Sequence, residues 1–278
     1  SSLVDHFTYI IASDGDMQEP ITLGSASLSG HLGLSKLIVF YDSNEVQISG
    51  GVSRSDSTDY GVVFKGFGWH VQKIDGHDHD SIRIAIRKAQ KSNQPSLIIG
   101  ETIMAKGSNG MEGDFNTHGA PLPQDEIDST KVKLGIKSEP FYLPEEVITY
   151  FRSDFQSQTN KVKSWNNKLT LMQQNLDFKT FWTVAIENNL PRLEMPEFDT
   201  GASLATRKAF GTTLDSFSKS LPNMIGGSAD LEPSNYTGNF AKNYFDYQKD
   251  NRIGRNIAFG VREFPMAALL NGAAIHGG

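Results

Sequence analysis

The sequence predicts an α/β protein: a doubly wound, mostly parallel sheet with helices on both faces, followed by the start of a second α/β domain. Three observations predict it. Several short runs are apolar without alternation, LIVFY at 37–41 and SLIIGET at 96–102 being the plainest, and uninterrupted apolar runs are what strands covered on both faces need. Each run stops at a polar or glycine-containing turn: Ser13-Asp14-Gly15-Asp16, Asp42-Ser43-Asn44 or Asp75-Gly76-His77. Helix-like stretches separate the runs, as crossovers between parallel strands require.

In order, residues 7–12 (FTYIIA) predict the first strand, and 21–34 a helix whose Gly24, Ala26, Ser27 and Gly30 permit close packing. Residues 37–41 predict the second strand and 69–74 (WHVQKI) the third. Over 81–91, Ile82, Ala85, Ile86 and Ala89 recur at helical spacing, with a cap at Asp80 or Ser81. Residues 96–102 complete the series. The Gly-rich stretch 104–123 reads as a loop long enough to serve function rather than connection.

Residues 144–190 predict two or three helices, with Trp165, Leu169, Met172 and Leu176 on one stripe. Prolines and acids in PRLEMPEFDTG mark a linker over 191–202, which divides the chain into domains at 1–190 and 203–278. The second domain opens with a helix over 204–217. A short strand at 224–226, another at 256–260 and a helix over 263–276 follow.

With 278 residues, 38% of them hydrophobic, the chain can bury substantial cores without covalent staples. It contains no cysteine, which excludes disulfides, thiolate metal sites and a cysteine nucleophile. A net charge of −6 argues against electrostatic coating of nucleic acid. The apolar runs are too short to span a bilayer and the N-terminus has no signal-peptide pattern, so a soluble cytoplasmic protein is expected.

In doubly wound sheets, ligands collect beyond the carboxyl ends of the strands. Asp14 follows the first strand and Asn44 the second. A carboxylate, an amide oxygen and a backbone carbonyl are hard oxygen ligands suited to Mg²⁺ or Ca²⁺ gripping a diphosphate. Gly15 lets a phosphate approach the backbone, and the dipole of the next helix favours it. The same residues also make ordinary strand-to-helix turns. Asp16 opens another reading, in which two carboxylates hold a metal for phosphoryl transfer. Glu19 could simply satisfy amides at a helix start.

Among the histidines, His77 and His79 in DGHDHD read as a solvated turn and cap, and His31 as packed within a helix. His118, in the loop THGAP, has better prospects of facing a ligand. In the second domain, Arg207 near a helix start could meet an anionic group. Asp230 and Ser234 sit in GGSADLEPSN. Glu263 in GVREF, if buried, could donate a proton to a heterocycle, or pair with Arg262.

The stretches SDGDMQEPIT, KLIVFYDSNEVQISG, GWHVQKIDGHD, PSLIIGETIMAKGS, THGAPL, LATRKAF, GGSADLEPSN and IAFGVREFPMAALLNGAAIHGG, in this order, resemble the transketolase family. The resemblance implies thiamine diphosphate as cofactor and transfer of a two-carbon ketol unit from a ketose phosphate to an aldose phosphate through a thiamine-diphosphate ylid. It implies that Asp14, Asn44 and the Val46 carbonyl hold Mg²⁺, with Ca²⁺ or Mn²⁺ as substitutes, and that Gly15 lies against the diphosphate. Glu263 would hydrogen-bond the aminopyrimidine and favour its imino tautomer. His118 would lie by the diphosphate and the reacting carbon, and Asp230 by the thiazolium. Arg207, Ser234 and His118 would hold the sugar phosphate, and Glu19 would join a carboxylate network across a homodimer.

Ser13 stands where the family more often has glycine, and Gln18-Glu19-Pro20 departs from the common Met-Glu-Gly. The resemblance spans only the middle of a full-length member. It therefore implies an internal piece, inactive alone, whose Asp14 and Glu263 would serve different sites between subunits. Another enzyme of the cofactor class, such as deoxyxylulose-phosphate synthase, and an incomplete half-site or dimerisation module are the alternatives.

Overall fold

Each predicted strand of the first half forms, and the elements run in chain order from β1 (Thr8–Ser13) to α12 (Glu263–His276) in a computed structural model that describes residues 3–278. After β1 come α1 (Asp14–Gln18), α2 (Pro20–His31), β2 (Leu37–Ser43), and a small hairpin of β3 (Val46–Gln47) and β4 (Gly50–Gly51). Then follow α3 (Tyr60–Gly66), β5 (His70–Asp75), α4 (His79–Ala89), β6 (Ser96–Glu101), α5 (Gln124–Lys133), α6 (Glu145–Ser153) and α7 (Phe155–Met172). The remainder comprises α8 (Leu176–Ala185), α9 (Thr206–Ser220), β7 (Gly226–Ser228), α10 (Glu232–Asn235), α11 (Gly238–Tyr244), β8 (Asn256–Ala258) and α12. Two compact units result. One is the chain up to Asn166 without His31–Gly33, and the other is His31–Gly33 with Asn167–Gly278.

In the first unit β1, β2, β6 and β5 lie side by side in that order, all parallel. Side chains alternate between faces along a strand, and both faces are covered. Val39, Tyr41, Leu97 and Ile99 join Ala12, Met17, Ala26, Phe64 and Trp69 under α1, α2 and α3. Ile38 and Ile98, one residue out of phase, pack against Ala85 and Ala89 of α4, with Phe40 and Ile74 beside them. The sheet is thus doubly wound, as the unbroken apolar runs of β2 and β6 require. β1 departs from that expectation. It is an edge strand in the described sheet, and Tyr9, Ile10 and Ile11 are exposed.

The helix predicted over 21–34 forms as α2, starting one residue earlier and ending three earlier, and a single turn, α1, precedes it across a break. Met17 drops into the core and anchors the single turn of α1. Glu19 is extended, at φ −65° and ψ 127°, because the residue before a proline is pushed out of the helical region. Pro20 then opens α2, where its missing amide costs nothing. The close packing expected of the small residues is met at Gly30. A Cβ there would lie 1.8 Å from the Phe67 carbonyl oxygen. Trp69 Nε1 donates to the Ala26 carbonyl at 2.8 Å, fixing the same contact. The cap of α4 lies earlier than expected: Asp78 accepts from the amides of Asp80 and Ser81. His31 ends α2 exposed rather than packed.

The stripe expected to run from Trp165 to Leu176 is broken. α7 stops at Met172, and Asn175 caps a new helix by accepting from the Phe178 amide, leaving Leu176 exposed. In the second unit β7 and β8 pair in parallel, Gly226 opposite Asn256 and Ser228 opposite Ala258. The first of these strands thus begins two residues later than predicted. Arg255 braces the unit. Its guanidinium donates to the carbonyls of Ser218, Leu221 and Met224 and stacks on the Tyr244 ring, 4.0 Å from the centroid. No helix among the described residues is long and apolar enough to cross a membrane.

Candidate cofactor and metal site

The parallel register sets Ser13 opposite Asp42, and Ser43 opposite Glu101, so the turns after β1, β2 and β6 leave the same edge of the sheet. Asp14 is the first residue past β1 and is only 2% exposed. Its Oδ1 accepts from the Tyr41 hydroxyl at 2.6 Å, and its Oδ2 accepts from the amides of Asn44 at 3.2 Å and Glu45 at 3.0 Å. Burial first, and the bond to Asp14 second, push the Tyr41 hydroxyl well above the usual tyrosine range, so it remains a donor.

Asn44 turns back on its own loop: its Oδ1 accepts from the Val46 amide at 3.0 Å, and its Nδ2 donates to Asp42 Oδ2 at 3.2 Å. Glu45 between them is left-handed at φ 58°. That strained conformation for a non-glycine residue aims three successive amides at side-chain oxygens. The sequence brings Asp14, Asn44 and Val46 together as expected, through a tighter loop than a simple strand end. Tyr41, read as a core residue, and Asp42, read as a turn residue, prove to hold the two side chains in place. The spacing of Asp42 two residues before Asn44 was a visible signal, while the separation of 30 positions between Asp14 and Asn44 hid the rest.

A cavity of about 480 Å³ adjoins Asp14 on the Tyr41 side, lined also by Ser43, Glu45, Asp56, Asp59, Tyr60, Lys65 and Lys73. The Tyr60 hydroxyl donates to Asp56 at 2.6 Å. Asp16 does not share the work of Asp14. Exposed, it accepts from the amide and hydroxyl of Ser13 and acts as a cap. Glu19 lies between α1 and α2, where its carbonyl, not its carboxylate, accepts from the Thr22 amide. The helix after Gly15 is one turn long, so the expected dipole is small.

The residues present fit a divalent cation and a phosphate. An ionised carboxylate has about four lone-pair sites, and Asp14 uses three. Among the described residues no cationic side chain pairs with it, and buried carboxylates are ordinarily paired or bound to metal. No three His, Cys, Asp or Glu side chains among the described residues converge as a metal site. Further ligands would therefore be the Asn44 oxygen and a backbone carbonyl. A Cβ built on Gly15 would meet nothing within 4 Å, leaving the backbone open to a close approach.

His118 ends a short 3₁₀ turn in the loop after β6 and is exposed. His77 keeps to the turn predicted for it, with its Nε2 accepting from the Ile103 amide at 2.9 Å. In the second unit Asp230 is left-handed at φ 64° and borders a cavity of about 250 Å³ with Ser228, Glu232, Asp246 and Gly260. Ser234 lies in α10 and Arg207 in the first turn of α9, both exposed. Glu263 opens α12, but the burial expected of it is not met. Pro265 of the same turn is buried, but the Glu263 side chain is exposed. Arg262 donates to the Phe259 carbonyl.

Residues 1–190 match the family described as "Transketolase, thiamine diphosphate binding domain", and residues 202–278 match "Transketolase, pyrimidine binding domain". The chain belongs to the transketolase family. The transketolase of Halalkalibacterium halodurans is 38% identical over 283 residues, and that of Bacillus subtilis 38% over 285; each alignment takes in 100% of this chain and 42% of the relative. Among solved structures, a transketolase variant from Pichia stipitis in complex with fructose 6-phosphate superposes with a TM-score of 0.93 at 32% identity, covering 99% of this chain and 42% of that one. The Leishmania mexicana transketolase gives 0.92 at 32%, with the same coverage. The chain thus spans about two fifths of the length of the transketolases it matches.

Proposed function

We propose that this chain contributes to transketolase-type transfer of a two-carbon ketol unit from a ketose phosphate to an aldose phosphate, using thiamine diphosphate and a divalent cation. The observation that carries the reading is Asp14: a buried carboxylate without a cationic partner, holding one lone pair in reserve at the carboxyl edge of the sheet. Asp14, the Asn44 Oδ1 and the Val46 carbonyl would hold Mg²⁺, or Ca²⁺ or Mn²⁺ in its place. Gly15 would pass its bare backbone along the diphosphate.

When bound, the cofactor supplies the carbanion-stabilising centre that cleavage next to a carbonyl needs. Glu263 would exchange a hydrogen bond and a proton with the aminopyrimidine, and Asp230 would lie by the thiazolium. His118 would lie by the diphosphate and the reacting carbon, and Arg207 with Ser234 would bind the sugar phosphate. We assign the functional boundary to 191–202, which carries no helix or strand, and a homodimer to the complete protein. Being soluble and cytoplasmic belongs to the same reading.

The test is calorimetric titration of thiamine diphosphate into the chain, with and without Mg²⁺. Metal-dependent binding is expected. Absence of binding, both by this chain and by the chain extended with the segments its relatives carry, would overturn the reading.

A further inference from the structure

Two neighbours at the end of β2 have side chains on opposite faces of the sheet, and each holds one of the oxygen donors in place. We propose that Tyr41 and Asp42 are positioning residues for the divalent-cation site, an inference that rests on the reading of Asp14 and Asn44 as its ligands.

Tyr41 works from the face beneath α1, α2 and α3. Its ring is locked in the core, 6% exposed, edge-on to Tyr60 at 6.0 Å with an 86° interplanar angle. The hydroxyl is its sole polar atom, and it meets Asp14 Oδ1 at 2.6 Å. A ring that cannot swing leaves the carboxylate one rotation about its last bond, the one in which Oδ2 also takes the amides of Asn44 and Glu45.

Asp42 works from the other face. The two ends of an asparagine amide are nearly alike in shape, so only hydrogen bonds decide which end points where. An ionised carboxylate accepts and cannot donate, so Asp42 Oδ2 selects the Nδ2 end of Asn44 and sends Oδ1 toward the Val46 amide. There Oδ1 keeps a second lone pair for a cation. Asp42 is itself fixed, since its Oδ1 accepts from the Thr102 hydroxyl while the Thr102 amide donates to the Ser43 carbonyl at 3.1 Å. The amide orientation at Asn44 is thus set from Thr102, the first residue past the neighbouring strand β6.

Such outer partners typically change metal affinity 10- to 100-fold when removed. The experiment measures Mn²⁺ affinity of the chain by electron paramagnetic resonance in the presence of thiamine diphosphate, with apo melting temperatures as a folding control. Tyr41→Phe and Asp42→Ala are each expected to weaken Mn²⁺ binding about 10-fold or more. Asp42→Asn separates geometry from charge. It loses the same negative charge as the alanine variant but keeps an acceptor for Asn44, so it is expected to recover most of the affinity.

Affinity unchanged in Tyr41→Phe and Asp42→Ala, while Asp14→Asn abolishes binding, overturns the positioning roles and leaves the ligand assignment standing. Asp42→Asn as weak as Asp42→Ala overturns the amide-orienting role in favour of a charge effect. Binding that survives Asp14→Asn, or is absent both in the parent chain and in the chain extended with the segments its relatives carry, removes the ligand assignment and the inference with it. Should Tyr41→Phe fail to fold, the Asp42 pair, half-buried at the strand end, decides.

Discussion

Replacing Asp14 with asparagine separates the demands of folding from those of cation binding. The substitution keeps shape and removes charge. Asp14 accepts three hydrogen bonds, one from Tyr41 and two from backbone amides. A hydrogen bond to a charged group contributes about 1.5–3 kcal/mol against about 0.5–1.5 for a neutral one, so neutralisation gives up about 1 kcal/mol at each, or roughly 3 in all. Asparagine can turn its oxygen to the two amides and its nitrogen to the Tyr41 oxygen, so none of the three contacts is lost outright. Opposing this is the desolvation of a carboxylate 2% exposed with no cation beside it, a penalty of several kcal/mol even after relaxation. The two effects nearly offset, and the Asp14→Asn chain is expected to unfold in urea within about 2 kcal/mol of the parent. Cation binding has no such compensation, because an amide carries no charge for a hard dication. Metal-dependent affinity for thiamine diphosphate is expected to fall at least about 100-fold, equivalent to about 2.8 kcal/mol. His77→Ala, which removes only an acceptor for the Ile103 amide, serves as comparison and is expected to leave that affinity unchanged. Calorimetric titration with and without Mg²⁺ reads the binding, and urea melts read the fold. An Asp14→Asn variant that binds cofactor and metal like the parent, or that loses binding only because it no longer folds, would refute the reasoning.

Gly30→Ala would force a Cβ to within 1.8 Å of the Phe67 carbonyl oxygen, and since backbone rather than a flexible side chain must yield, a loss of about 3 kcal/mol or more is expected in denaturant melts. Arg255→Met keeps the stem but removes the guanidinium from three carbonyls, of which that of Leu221 keeps the Met224 amide; the second unit should lose about 2–4 kcal/mol, read from local amide exchange around β7 and β8. Asp78 is held below its ordinary value of 3.8, chiefly by the Ser81 hydroxyl and then by the Asp80 amide. A depressed carboxyl stabilises the fold above the ordinary value and loses that effect as pH falls through the lowered one. Melting temperatures of the parent and Asp78→Ala should therefore differ at neutral pH and converge below about pH 3.8; a constant gap down to about pH 2 would count against the cap.

Much of this architecture is legible in the sequence because burial on both faces leaves a plain mark. β2 and β6 supply side chains to two cores at once, and their apolar runs are unbroken. Asp14 and Asn44 were legible for a related reason, lying in the short polar stretches that end such runs. Less legible were features set by a single backbone angle. Pro20 signals the break at Glu19 in hindsight, yet the turn read at Ser13-Asp14-Gly15-Asp16 gave no sign of the single helical turn α1. Nothing local announces the left-handed Glu45, since asparagine, aspartate and glycine are the residues that normally mark that conformation. Exposure was the least legible property. Tyr9, Ile10 and Ile11 have the composition of a buried strand, and Glu263 has the setting of a buried carboxylate, but burial depends on what lies alongside, which a run of letters does not carry.

The loop after β2 has a further consequence for the energetics of binding. The amides of residues 44, 45 and 46 are each held by a side-chain oxygen, two by Asp14 and one by Asn44. Fixing the backbone of one residue costs about 1–2 kcal/mol in lost freedom, so three residues amount to about 3–6 kcal/mol. Here that cost is met when the sheet folds. A cation arriving at this loop would find it already ordered, and nearly all of its attraction would be left to appear as affinity.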